Sequence, residues 1–324
     1  MKKAFSIIFV LVFLGVLSFG LFGCGTDTAV DTPEDVEEVV EEVEEAVEEE
    51  LATLDEGEVL LAAAEAYFPK TAESNNIMSA DDLKAMLDDN PNSVLVLDIR
   101  SAEDFEAGHI EGAVHSAWAQ VGEIMDRLPG NRPVVVTCYS GQTAGQTVAV
   151  LRMAGFENVK SLASGMTFGW GEEGAGYPTD GTGMVAAADL DSVSSPANEE
   201  EEILWAVAQD YFAAVASSNN IIAGPDLYEA LEANPNSFYV LDIRSKEDYD
   251  QGHIVGSVHS PWSEVGNLLG DLPSTRPIVV ACYSGQTAGQ TVGVLRMLGY
   301  DALSLRFGIR EGWVTRDALP LVTE

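Results

Sequence analysis

An α/β chain of two tandem domains, each a mainly parallel sheet flanked by helices, is predicted from three observations. The stretch from Cys138 to Val148 recurs letter for letter from Cys282 to Val292, so the chain is a duplicated unit. Short β-branched runs alternate with amphipathic segments, as where Ala80 to Leu87 precedes Val94-Leu95-Val96-Leu97, the pattern of strand and crossover helix. Ahead of the repeats stand an apolar leader and a run of carboxylates that belong to neither domain.

The leader is residues 1–23. Met1-Lys2-Lys3 precedes an apolar run from Ala4 to Phe22, and Leu21-Phe22-Gly23-Cys24 resembles a bacterial lipoprotein processing site. That resemblance implies cleavage before Cys24 and lipid on its sulfur, although Phe22 is bulkier than the usual residue there. An uncleaved signal anchor is the other reading, since a span of about 20 apolar residues crosses a bilayer. Either way the rest of the chain is expected outside the cytoplasm, on a membrane surface. Residues 24–57 form an acidic spacer. Between Asp31 and Glu58 there is no Lys or Arg, and Val36, Val40, Val43, Val47, Leu51 and Leu54 recur at helical spacing. Glutamates flanking that stripe would repel in a self-paired coiled coil, so a solvated stalk is expected.

The whole chain carries 53 acidic against 16 basic residues, a formal charge of −37. Nucleic acid is excluded as a partner, because nothing offers a basic phosphate-binding stripe. A protein partner meeting these acidic faces would be basic.

The repeat sets the domain boundaries at 58–178 and 202–324, with a Gly-, Ala-, Ser- and acid-rich linker at 179–201. Glu58-Val59-Leu60-Leu61 aligns with Glu202-Ile203-Leu204-Trp205, and Ser74-Asn75-Asn76-Ile77 with Ser218-Asn219-Asn220-Ile221. Asn90-Pro91-Asn92-Ser93 aligns with Asn234-Pro235-Asn236-Ser237, and Trp170 with Trp313.

Each repeated cysteine follows a β-branched run, Val134-Val135-Val136-Thr137 or Ile278-Val279-Val280-Ala281. After it come Ser140-Gly141 or Ser284-Gly285, and then a helical pattern. Strand, tight loop and helix would aim the loop amides and the positive end of the helix at the sulfur, favouring a thiolate and any anion bonded to it. Cys138 and Cys282 are therefore the candidate nucleophiles. The candidate substrate cradles are Tyr139, Ser140, Gly141, Gln142 and Thr143 in one copy and Tyr283, Ser284, Gly285, Gln286 and Thr287 in the other, acting chiefly through backbone N–H groups. Tyr139 and Tyr283 either wall the pocket or pack.

Upstream of each cysteine runs a second motif: Asp98-Ile99-Arg100, an acid-aromatic pair, then Gly108-His109-Ile110 and Gly112, matched by Asp242-Ile243-Arg244 with Gly252-His253-Ile254 and Gly256. Downstream stand Gly165 to Trp170 and Gly308 to Trp313. Three ordered motifs, each present twice from about Glu58 to the C-terminus, resemble the rhodanese family. The resemblance implies a sulfurtransferase whose cysteine takes a sulfane sulfur from a donor such as thiosulfate, becomes a persulfide, and passes the sulfur to cyanide or a thiol. It implies no metal and no organic cofactor. The six-position loops Cys138 to Thr143 and Cys282 to Thr287 match the family, whereas related phosphatases and arsenate reductases carry one residue more.

Two departures bear on substrate. The loops are neutral, and the residues before the aromatic are Asp104 and Asp248 where thiosulfate-specialised members often carry arginine, so polysulfide or a persulfide donor stays open beside thiosulfate. Many tandem members keep one cysteine, whereas this chain keeps both. His109 and His253 are expected to hold a turn; with His115 and His259 they lack metal-ligand spacing. Asp98 with Arg100, and Asp242 with Arg244, are expected as supporting ion pairs that brace the cysteine loop. A non-catalytic rhodanese-fold scaffold in a cell-surface or redox assembly is the alternative function. No Cys-x-x-Cys pair supports disulfide exchange.

Overall fold

A computed structural model describes residues 54–323, so the leader, Cys24 and all but the last residues of the acidic spacer lie outside the described residues. From Leu54 onward the chain forms one compact unit. Among the described residues no helix is long and apolar enough to cross a membrane.

The first repeat runs α1 (Glu56–Lys70), β1 (Ile77–Met78), α2 (Ala80–Asp89), β2 (Leu95–Asp98), α3 (Ala102–Ala107), β3 (Val114–His115), a 3-10 segment (Trp118–Arg127), β4 (Val134–Thr137), α4 (Gln142–Met153), β5 (Val159–Leu162) and a π-helical closing segment (Gly165–Trp170). The second repeats this order: α5 (Glu199–Ala214), β6 (Ile221–Ile222), α6 (Gly224–Ala233), β7 (Tyr239–Asp242), α7 (Lys246–Gln251), β8 (Val258–His259), a 3-10 segment (Trp262–Asp271), β9 (Ile278–Ala281), α8 (Gln286–Met297), β10 (Ala302–Leu305) and a closing segment (Gly308–Arg316). Local chemistry sets the helix starts. Ser79, Ser101, Asn198 and Ser245 each accept an N–H from the first turn with the side chain.

Each repeat holds one five-stranded sheet, ordered β1-β5-β4-β2-β3 or β6-β10-β9-β7-β8, with every pairing parallel. β4 is buried at all four positions, which explains a continuous rather than alternating apolar run. Its faces still divide by period two: Val134 and Val136 enter a core shared by both repeats, while Val135 enters an outer core with Leu83, Phe105 and Trp170. Ile278 and Val280 enter the shared core likewise, and Val279 the second outer core with Leu227 and Trp313.

The shared core is built by exchange. Helix α1 packs on the 3-10 segment of the second repeat and α5 on that of the first. Gly122 sits directly beneath α5, where a Cβ would lie 2.9 Å from the Cα of Gln209, and Gly266 faces Phe68 of α1. Between the exchanged helices, α4 and α8 pack side by side. A Cβ on Gly289 would lie 2.4 Å from the Gln142 carbonyl oxygen, and one on Gly293 would lie 2.8 Å from that of Gln146. Both contacts advance along the two helices together, so α4 and α8 point the same way and both cysteine loops lie at one end. A Cβ on Gly145 would come within 2.4 Å of the Gln286 carbonyl oxygen, completing the reciprocal set.

The linker does not hang free. His115 N–H donates to Val185 O (2.8 Å), laying residues 185 and 186 along the outer edge of β3, and Val193 and Ser194 N–H groups donate to Asp126 O.

Gly145→Ala should lower stability by about 1–3 kcal/mol, because the added methyl meets backbone that cannot yield without parting the helices. Gly130→Ala, which adds its Cβ to open space, should be near neutral. Urea unfolding followed by tryptophan fluorescence checks both, and a single cooperative transition is expected because the two repeats share one core.

Candidate active site

Cys138 stands one residue past β4 and Cys282 one past β9, at the carboxyl ends of parallel strands where α/β folds place their sites. Neither is in a disulfide, and each residue is only 2% exposed. Cys138 Sγ accepts N–H from Gly141 at 3.1 Å and from Ala144 at 3.4 Å; Cys282 Sγ accepts from Gly285 at 3.1 Å and Ala288 at 3.3 Å. The cradle thus reaches one residue beyond the expected loop, into the first turn of α4 or α8, where the helix amides have no partner of their own. Gly141 and Gly285 cap these helices at φ +90°, a backbone that only glycine adopts without strain. Converging amides and a helix N-terminus suit a sulfur anion.

The closing segment holds each loop from behind. Met166 and Thr167 N–H groups donate to the carbonyls of Cys138 (2.8 Å) and Tyr139 (2.9 Å), and those of Ile309 and Arg310 to Cys282 (2.7 Å) and Tyr283 (3.0 Å). With the loop carbonyls drawn outward, the amides of the same turn face the sulfur. Gly165 and Gly308 permit the approach, since a Cβ at either would lie 2.5 Å from the cysteine carbonyl oxygen. This is the physical content of the downstream glycine-to-tryptophan motif. Trp170 and Trp313 anchor its far end by donating their indole N–H to Pro178 O and Pro320 O, both at 2.8 Å.

At the mouth, Tyr139 OH donates to Asp104 Oδ2 (2.5 Å) and accepts from Ser101 N–H (3.2 Å); Tyr283 OH does the same with Asp248 (2.6 Å) and Ser245 (3.1 Å). The tyrosines therefore tie the cysteine loop to the start of α3 or α7, and the Tyr139 ring stays exposed. Asp104, hydrogen-bonded by Ser101 and then by Tyr139, is held below the usual carboxylate range, as is Asp248 by Ser245 and Tyr283. The acids before the aromatic are thus committed to positioning. The hydroxyls of Ser140, Thr143, Ser284 and Thr287 have no hydrogen-bond partner among the described residues.

The Asp-x-Arg pairs form. Arg100 Nη2 lies 2.7 Å from Asp98 Oδ2, and Arg244 Nη2 2.7 Å from Asp242 Oδ2, with both aspartates fully buried. What they brace differs from expectation: Arg100 donates onward to Gly108 O (2.8 Å) and Arg244 to Gly252 O (2.7 Å), clamping the Gly-His-Ile turn and not the cysteine loop. Removing one partner from such a pair costs about 3–5 kcal/mol, because a charge is left buried alone. His109 accordingly hydrogen-bonds Phe105 O at 2.7 Å and stacks on the Phe105 ring at 3.8 Å; His253 does the same with Tyr249. His115 and His259 reach the carbonyls of Arg100 and Arg244. These imidazoles hold backbone.

Two of the ten cradle residues, expected to act through their backbone N–H groups, have side chains with a separate destination. The side chains of Gln142 and Gln286 are buried and turned away from their own loops, into the opposite repeat. Gln142 donates to Leu305 O (3.1 Å) and accepts from Phe307 N–H (2.9 Å), while Gln286 donates to Leu162 O (3.0 Å) and accepts from Ser164 N–H (3.1 Å). One turn on, Gln146 accepts from Tyr211 OH (2.7 Å) and Asn220 Nδ2 (3.1 Å), and Gln290 accepts from Tyr67 OH and Asn76 Nδ2 at the same distances. The signal for this second role lay in the repeat itself, which stays letter-perfect past Ala144, to Val148, beyond the last amide that reaches the sulfur.

The comparisons with known proteins come to one family. Its rhodanese-like domain matches residues 79–172 and again 225–314, more than half of the chain. Thiosulfate sulfurtransferase GlpE of Actinobacillus succinogenes is 37% identical over 89 residues, 28% of this chain and 77% of that protein. The putative sulfur carrier protein YrkF of Bacillus subtilis is 29% identical over 119 residues, 36% of this chain, which spans 64% of that protein's length. Among solved structures, a rhodanese-related protein from Thermoplasma volcanium is 28% identical, with 32% of this chain and 99% of that one covered and a TM-score of 0.30. A duplicated parallel sheet, a cysteine in an amide cradle at the end of each central strand, and two family matches place the described chain in the rhodanese-like family, as a tandem two-domain member of sulfurtransferase type.

Proposed function

We propose that the protein moves sulfane sulfur from a small donor to a thiophilic acceptor through persulfides on Cys138 and Cys282, outside the cytoplasm and tethered by lipid on Cys24. The cradle of N–H groups around each sulfur carries the reading. With thiosulfate, the cysteine thiolate attacks the outer sulfur, a new S–S bond forms at the cysteine, and the S–S bond of the donor breaks. Sulfite leaves with the electron pair. The persulfide anion then stands where the loop amides converge, stabilised as an oxyanion would be. Attack by cyanide or a thiolate on the outer sulfur returns the cysteine thiolate and releases thiocyanate or a new persulfide. These steps call on no metal or organic cofactor. The tether rests on the leader and on Cys24 in its resemblance to a lipoprotein site.

The two mouths differ in charge. Arg310 of the second closing segment lies with its guanidinium 5.2 Å from the Tyr283 ring centroid, and Thr167 occupies the equivalent place in the first repeat. No carboxylate pairs with Arg310 among the described residues, and it acts on Asp248 across the mouth, contributing to that group's lowered pKa. Glu311 follows it in sequence, so the advantage is local. Cys282 is accordingly the better placed of the two to load from a dianionic donor.

Intact mass of the fragment from Glu58 onward, exposed to thiosulfate or to polysulfide, is expected to rise by one sulfur atom in both Cys138→Ser and Cys282→Ser, and to fall back on adding cyanide or a thiol. Folded protein with reduced thiols that gains nothing from either donor would instead favour the scaffold reading. In the Cys138→Ser background, Arg310→Gln should slow loading from thiosulfate roughly 3- to 10-fold at low salt. Thr167→Arg in the Cys282→Ser background should quicken it by a similar factor. Both effects should shrink as ionic strength rises.

A further inference from the structure

The glutamine amides that leave their own loops end on the machinery of the other cysteine. Gln142 grips Ser304 Oγ (3.2 Å), Leu305 O and Phe307 N–H, the residues that lead into the second closing segment. Phe307 and Gly308 are consecutive left-handed residues, at φ +58° and +64°. A phenylalanine held there costs about 1 kcal/mol or more and needs fixing from outside. Directly after them, Ile309 and Arg310 hold the carbonyls of Cys282 and Tyr283. The same Gln142 amide lies against Gly285, where a Cβ would be 2.5 Å from Nε2, and Gly285 N–H is a donor to Cys282 Sγ. Gln286 repeats every contact in the first repeat: Ser161 Oγ (2.7 Å), Leu162 O, the N–H of left-handed Ser164, and close packing on Gly141, whose N–H serves Cys138.

We infer that Gln142 is a positioning residue for Cys282 and Gln286 for Cys138, so that each site is completed by the opposite repeat. A primary amide is suited to this because it offers an acceptor to one backbone group and donors to another from a single rigid plane. Glutamate could not donate to Leu305 O, and leucine or methionine would leave both the carbonyl and the Phe307 N–H without a partner. The inference builds on the sulfur-transfer reading but has a readout independent of it.

Site-resolved rates test it. In Cys138→Ser, which reports on Cys282 alone, Gln142→Met should slow persulfide formation roughly tenfold, as expected when aligned amide donors lose their aim. In Cys282→Ser, which reports on Cys138, Gln142→Met keeps the backbone N–H of its own loop and should slow the rate by a clearly smaller factor than it slows Cys282. Gln286→Met should give the reverse. Gln146→Met is the control: it sits on the same helix and in the same interface, but its partners Tyr211, Asn220 and Asn219 touch neither closing segment, so it should act on both cysteines alike. Should Gln142→Met fail to fold, Gln142→Glu keeps the acceptor for Phe307 N–H and is measured in its place. Alkylation of each cysteine by iodoacetamide, followed by mass, should show the same crossed pattern without any sulfur donor. Slowing confined to Cys138, equal slowing of both cysteines, or no slowing of either would overturn the inference. Crossed alkylation in the Gln142→Met and Gln286→Met variants, together with a parent protein that loads from no donor, would instead overturn sulfur transfer and leave the crossing standing.

Discussion

The close passage of α4 against α8 is the constraint on which the rest depends. Gly145, Gly289 and Gly293 let the two backbones approach so nearly that any side chain at those positions would strike a carbonyl or a neighbouring chain atom. Only at that separation do the amides of Gln142 and Gln286 span the interface and reach backbone groups beyond it. The burial this requires would be costly if any polar atom were left unmatched, about 1–3 kcal/mol for each. Each amide is instead met on both its oxygen and its nitrogen. The interface is therefore polar and specific without being destabilising.

Exchange of α1 and α5 follows from the same arrangement. The inner face of each sheet is covered by its own cysteine-bearing helix, and those helices cover one another, so the remaining apolar surface lies around their flanks. Helix α1 fills it beside the second repeat and α5 beside the first. Tyr67 and Tyr211 bring hydroxyls to Gln290 and Gln146, and burial drives both phenols well above the ordinary tyrosine range, so they serve as neutral donors. The two repeats thus behave as one body, with both cysteine loops at one end.

The site's chemistry is an outcome of backbone direction more than of side-chain type. No ionisable side chain hydrogen-bonds either sulfur among the described residues; the donors are backbone amides, held by a closing segment that pulls the opposing carbonyls away. The histidines and the Asp-x-Arg pairs, the most conspicuous polar residues of the upstream motif, spend themselves on the Gly-His-Ile turn. Differences between the two sites lie outside the identical loops, in Arg310 against Thr167, where one mouth gains a cation that the other lacks.

The amino-acid sequence by itself determined the duplication, the parallel α/β class and the place of each cysteine between strand and helix. These are local properties: a β-branched run, a glycine at a tight turn and a periodic apolar face encode them within a dozen residues. The histidine role was legible for the same reason, its partner lying four residues away. The destination of Gln142 and Gln286 was not. Each sits inside a motif whose neighbours serve the sulfur, and its true partners lie 165 positions away for Gln142 and Phe307, and 122 for Gln286 and Ser164. Nothing in a helix's own sequence states which copy of a repeated strand its exposed side chain will meet. Packing decides that, since the approach of two glycine-lined helices turns a side chain at the first helical position away from its own loop and into the other half of the molecule.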